Sequence, residues 1–132
     1  MFNFQATTPI YTQLMDEIKG QIVSGRLAAG ARIDSIRDLA AFYMVNPNTV
    51  QRALLELERE GLLSTQRASG KFVTEDENMI RELRSKLAEE QINKLLDAMK
   101  TLGFSEEETR ELITHALAQS ALSAAPAKEG EL

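Results

Sequence analysis

Cysteine is absent from this chain of 132 residues, so it can form neither a disulfide nor a thiolate metal site, and a reducing cytoplasm is its natural compartment. Histidine occurs once: His115 falls mid-helix with no second imidazole or thiol to complete a metal site. The serines fall in caps and turns, away from any base that could activate them. The chain is therefore read as no enzyme, with no cofactor and no metal. Long apolar runs are also missing, and Met1-Phe2-Asn3-Phe4 lacks the basic start and long apolar stretch of a secretory signal, so a soluble protein with no membrane partner is expected. Excess positive charge is lacking too, the net charge being −5. Its distribution matters more than its sum. Residues 1–74 carry eight Lys/Arg against seven Asp/Glu, whereas residues 75–132 carry seven against thirteen. Exposed charges more than about 8 Å apart are largely screened at physiological salt, so acidity in the second half does not forbid an anionic partner for the first.

The richest stretch runs from Asn46 to Gly61. Asn46 can cap a helix whose first position is Pro47, where a fixed φ helps and the missing N–H costs nothing. Val50, Leu54 and Leu57 recur at helical spacing as a buried stripe, which leaves Asn48, Thr49, Gln51 and Arg52 on other faces of the first two turns. These side chains suit base edges and phosphates. Gly61 supplies a left-handed stop. Ahead of this helix, Ser35-Ile36-Arg37-Asp38 pairs a capping residue with an acid three positions later and opens a shorter helix, with Tyr43 to Asn46 as the intervening turn. Behind it, the runs 62–66 and 71–74 flank Arg67-Ala68-Ser69-Gly70 and predict a hairpin with a basic, glycine-containing tip. An earlier helix starts at Thr8 and Pro9, carries Ile10, Leu14, Ile18 and Ile22, and ends at Gly25; Ile33 is expected to begin the small sheet that the hairpin completes. The fold class is mainly α: a winged helix-turn-helix of three helices and a β-hairpin wing over residues 1–74, followed by a short two-helix segment.

Pro9-Ile10-Tyr11-Thr12-Gln13-Leu14, Ser24-Gly25-Arg26-Leu27-Ala28-Ala29-Gly30, Ser35-Ile36-Arg37-Asp38-Leu39-Ala40, Asn48-Thr49-Val50 and Glu58-Arg59-Glu60-Gly61-Leu62 stand in an order and spacing that resemble the GntR family of transcriptional regulators over about residues 9 to 74. The Asn-Pro-Asn-Thr-Val wording and the short helical segment after the wing look like its YtrA subfamily. The resemblance implies a sequence-specific regulator that binds a double-stranded DNA operator, a repressor of the kind often found beside transporter genes. It places Ser35, Arg37, Asn48, Thr49, Gln51, Arg52, Arg67, Ser69, Gly70 and Lys71 at the DNA. The chain departs from the family pattern at Asp34, where proline is usual, and at Ala68, where glycine is usual. Asp34 either weakens phosphate binding or holds Arg32 or Arg37 in place.

From Glu75 a long helix carries Met79, Leu83, Leu87, Ile92, Leu95, Leu96, Met99 and Leu102 up to Gly103. Ser105-Glu106-Glu107-Glu108 is a capping box for a second helix with Leu112, Ile113, Ala116 and Leu117, and residues 123–132 read as a disordered tail. Two such helices carry too many apolar residues to stand alone, so residues 75–122 are expected to form a homodimer interface, with Leu83, Leu87, Ile92, Leu95, Leu96, Met99, Leu112, Ile113 and Leu117 as its core. A twofold dimer suits a palindromic operator. A small-molecule effector would bind in a crevice shared between subunits or between the head and the long helix.

Blander readings accompany the sharper ones. The Asn46 helix could be a well-capped core helix, and Arg67 and Lys71 could be edge-strand charges that deter aggregation. The run of glutamates at 106–108 is a solvated first turn favoured by the helix dipole, and the methionines are gap-filling core. The alternative function is a winged-helix module that contacts protein and not DNA.

Overall fold

The computed structural model describes residues 2–66 and 69–131, with side chains through Ser123. Pro9, at φ −54° and ψ 137°, precedes α1 (Ile10–Val23) without a side-chain cap. Gly25, at φ +86°, turns the chain away after it. α2 (Ile36–Tyr43) is capped by Ser35, whose hydroxyl oxygen accepts from the Asp38 N–H at 3.1 Å. Met44 then adopts φ 57° and ψ 48°, a left-handed geometry that costs a non-glycine residue about 1–2 kcal/mol. That residue makes the sharp turn into α3 (Pro47–Arg59), where Asn46 Oδ1 accepts from the Asn48 N–H at 2.7 Å.

The wing is an antiparallel pair, β1 (Leu63–Gln66) with β2 (Gly70–Val73), registered so that Leu63 faces Val73 and Gln66 faces Gly70. Gly70 is thus a strand residue and not part of the tip. The third contributor to the sheet is a single bridge between Arg32 and Phe72, one residue ahead of the expected Ile33. Backbone bonds on both sides hold it: Ile33 N–H to the Lys71 carbonyl at 3.0 Å and Val73 N–H to the Ala31 carbonyl at 2.8 Å.

Helical spacing puts Leu14, Ile18 and Ile22 of α1 against Val50, Ala53, Leu54 and Leu57 of α3, with Ala40 and Tyr43 from α2 and Leu62, Leu63 and Val73 from the wing completing one core. Leu14, Val50 and Leu57 are wholly removed from solvent, a burial that contributes about 1.5–3 kcal/mol for each large side chain. Tyr43 anchors α2 to α1 through its hydroxyl, which takes the Gln21 amide hydrogen at 3.0 Å and reaches Glu17 Oε2 at 3.3 Å. Burial, and then the nearby Glu17 carboxylate, push the Tyr43 phenol above its ordinary pKa.

The chain divides into two compact units, residues 1–86 and 87–132, and not at residue 74. The reason is packing. The first turns of α4 (Glu77–Thr101) lay Met79, Ile80 and Leu83 on the head's core, and a Cβ on Gly61, at φ +85°, would come within 3.2 Å of Met79 Cε. Leu83, expected at a dimer interface, is therefore spent on the head. In the second unit, Gly103 at φ +92° ends α4. The predicted capping box opens α5 (Glu106–Glu131): Ser105 Oγ accepts from Glu108 N–H at 3.1 Å and Glu108 Oε1 accepts from Ser105 N–H at 2.9 Å. The Ser105 backbone N–H, and then the Ser105 hydroxyl, hold the exposed Glu108 carboxyl below its ordinary pKa. α5 runs on to Glu131, past residue 123, where a disordered tail was expected to begin.

No helix among the described residues is long and apolar enough to cross a membrane.

Candidate nucleic-acid interface

The face of α3 opposite the core carries Asn48, Gln51, Arg52 and Leu55, all exposed, at the i, i+3, i+4 and i+7 positions that make one stripe. Thr49 lies beside them, half-buried. Asn48 spends only its backbone N–H on the helix cap, which leaves its side-chain amide free to donate and accept. Arg52 is held from below: its guanidinium carbon lies 3.9 Å from the centroid of the Tyr11 ring on α1. Such a cation–π contact steadies the side chain without consuming its N–H donors. Arg37, next to the cap made by Ser35, is exposed on the first turn of α2. Asp34 forms no ion pair with Arg32 or Arg37 among the described residues, so it does not hold either of them by a direct bridge.

The wing differs from the sequence expectation at Lys71. Lys71 does not reach outward: its ammonium lies 3.0 Å from Glu58 Oε1 and 2.8 Å from Thr65 Oγ1, and its side chain is only 18% exposed. Thr65 in turn donates to Glu58 Oε2. The hydrogen bond from Thr65, then that from Lys71, lowers the Glu58 pKa below its ordinary value. Lys71 is accordingly a tie between wing and α3, because a carboxylate at the end of α3 lies within its reach. In its place stands Arg32, whose Nε donates to the carbonyl of Ser69. Arg67 lies outside the described residues.

Within residues 2–66 and 69–74 the cations fall into two classes. Lys19, Arg59 and Lys71 are paired with Glu60, Glu56 and Glu58, all at 3.0 Å, whereas Arg26, Arg32, Arg37 and Arg52 have no carboxylate within ion-pairing distance. Three of the unpaired arginines stand on the wing, at the start of α2 and on the exposed face of α3. An anion is what such a set can bind. The sequence offers Arg37 and Arg52 as candidates and Arg32 only as a residue that Asp34 could hold, and it gives Tyr11, Glu58 and Thr65 no role at this interface. No local signal marks them, since Tyr11 and Arg52 are far apart in the chain and Arg32 precedes the wing it joins.

Among the described residues no group of three or more His, Cys, Asp or Glu side chains could hold a metal ion. In the second unit, Ile92, Leu95, Leu96, Leu112 and Leu117 are exposed in the single chain, while Leu87, Met99 and Ile113 are partly covered. Within that unit a concavity of about 420 Å³ is lined by Leu96, Lys100, Phe104, Thr109, Arg110 and Ile113.

Residues 10–73 match the bacterial regulatory proteins of the gntR family. The chain is 39% identical to the HTH-type transcriptional regulator YhcF of Bacillus subtilis over 82% of its own length and 89% of that protein's. It is 34% identical to the HTH-type transcriptional repressor YtrA of the same bacterium, over 70% of this chain and 72% of the relative. Among solved structures it resembles a GntR family transcriptional regulator from Listeria monocytogenes, with a TM-score of 0.78, 35% identity and coverage of 85% of this chain and 98% of the other. The DNA-binding domain of AraR in complex with operator ORR3 is also similar, with a TM-score of 0.50 and 26% identity over 56% of this chain and 89% of that one.

Proposed function

This chain belongs to the gntR family of bacterial regulatory proteins, as a DNA-binding transcriptional regulator and not an enzyme, and from that premise we propose that it acts in the cytoplasm as a homodimeric repressor of a palindromic operator. The observation that carries the proposal is the exposed stripe of Asn48, Gln51 and Arg52 on α3, backed by a fully buried stripe and flanked by unpaired arginines. Each helix face has one job. The buried stripe fixes the pose of α3 so that its polar residues enter a major groove as a rigid set. Gln51 and Asn48 can each offer a donor and an acceptor to a base edge, which suits them to reading sequence. Arg37, on another helix, sets register by holding phosphate.

Repression is supported by the resemblance to YtrA, which is named as a repressor. The homodimer is supported by the exposed leucines of residues 87–122, which a second copy would cover. The concavity beside Phe104 is the seat proposed for a small-molecule effector, closed by that second copy.

Selection from a random duplex library with the full chain, followed by footprinting, tests the reading. A protected site with twofold symmetry is the expected result, and failure to enrich any duplex overturns it. On the selected duplex, Gln51→Ala should cost about 1–3 kcal/mol and relax preference at one position, whereas Arg37→Ala should weaken all sequences alike.

A further inference from the structure

The tie between Lys71 and Glu58 spends one of the two cations that the wing's sequence offers, and a guanidinium occupies the neighbouring space. Arg32 belongs to the connector ahead of α2, and its backbone is stitched to β2 on both sides, through Ile33 N–H to Lys71 and Val73 N–H to Ala31. This fixes where its side chain starts. The Nε donor is committed to the Ser69 carbonyl, which fixes where the side chain ends. Gly70 makes the approach possible: at φ +100° it takes a conformation that side chains disfavour, and a Cβ there would lie 3.1 Å from Arg32 Nε and 3.3 Å from Nη2. Arg32 is exposed and has no carboxylate partner among the described residues. A guanidinium has five N–H donors, so one bond to Ser69 leaves the terminal nitrogens free for two bonds to a phosphate.

We infer that Arg32 is a phosphate-contacting residue of the wing, planted on the Ser69 carbonyl, while Lys71 serves inside the protein as a tie to Glu58. The inference rests on the DNA-binding reading above and adds to it a residue from outside the hairpin. It also gives Gly70 a reason: the residue yields space to the guanidinium as well as forming the turn side of the strand. Because the arginine is carried on the wing's own backbone bonds, wing and cation approach DNA as one piece.

The test uses the full chain and the duplex recovered by selection, with log K followed against log [KCl]. Arg32→Gln should lower the slope by about 0.9 for each head engaged, the value of one phosphate contact. Arg32→Lys, which keeps the charge, should retain most of the slope. The double variant Glu58→Gln with Lys71→Gln removes an internal pair at no net change of charge and should leave the slope as it is. Circular dichroism melting of each variant separates loss of fold from loss of contact. The inference is overturned by a folded Arg32→Gln chain with the wild-type slope, by an Arg32→Lys chain that loses the slope as fully as Arg32→Gln, or by a slope that falls only in the double variant. A wild-type chain that retains no duplex overturns the DNA-binding reading itself, and this inference with it.

Discussion

Residues 2–86 and residues 87–131 both carry apolar side chains on helices, but they treat them in opposite ways. The first unit removes Leu14, Ile18, Val50, Leu54 and Leu57 almost entirely from water, using three helices and a hairpin to close around them. The second leaves Ile92, Leu95, Leu112 and Leu117 between 44% and 66% exposed, and its one buried residue among those described is Thr109. Two helices have too little surface to enclose each other's apolar faces. The difference teaches that the first unit closes its own core while the second leaves its apolar residues exposed, which is the observation the proposed homodimer rests on.

The largest expected effect comes from separating the two. A chain ending after Lys86 should keep its helical signal and bind one half-site, but its apparent affinity for the whole selected palindrome should fall by about 10²–10⁴, since joining two heads makes the second contact intramolecular. Sedimentation of the truncated and full chains checks the cause. A monomeric full chain, or a truncated head that binds as tightly, would remove the contrast between the units.

Single leucines sharpen it. Leu54→Ala, in the closed core, should cost about 2–5 kcal/mol at any protein concentration, read from urea unfolding. Leu96→Ala, in the open half, should instead make the melting temperature more dependent on protein concentration, because its loss is felt when subunits meet. Equal and concentration-independent losses at both sites would mean that the second unit is a closed core after all.

The smallest effect is electrostatic. Among the described residues each unit holds one glutamate whose pKa is depressed, Glu58 by Thr65 and then Lys71, and Glu108 by the Ser105 backbone and hydroxyl. A folded-state pKa below the unfolded one means that the ionised group stabilises the fold at neutral pH, and that this contribution is lost as pH falls through the acid range beneath the ordinary glutamate value of 4.5. Glu58 is part of an ion pair that keeps some access to solvent, so its share should not exceed about 1 kcal/mol. Comparing wild type with Glu58→Gln between pH 7 and pH 3 tests this: the gap in unfolding midpoint should close as pH falls. A gap that widens in acid would reverse the assigned direction.

Local chemistry was enough for the helix ends of both units. Ser35 and Asn46 cap their helices, Gly61 and Gly103 stop theirs, and Ser105 with Glu108 closes a reciprocal box, all as their residue types predict, because these bonds span four residues or fewer. The alternation of buried and exposed positions on α3 was legible for the same reason, and so was the exposure of Arg37 and Arg52. What the reading lacked was contact between distant segments. Nothing in the wing's own wording shows that Lys71 meets a carboxylate on α3, nor that Arg32 comes to stand on Ser69.

The amino-acid sequence by itself therefore determined the element order, the caps and stops, the face of α3 turned to the core, and membership of the regulator family, since all of these are set by neighbours along the chain. Tertiary structure alone decided which cations are spent internally and which stay available, that Tyr11 supports Arg52, and that Met79, Ile80 and Leu83 belong to the head. The physical reason is range: a cap or a helical stripe is settled within a turn or two, whereas the fate of a charge depends on which carboxylate, ring or carbonyl the fold brings beside it.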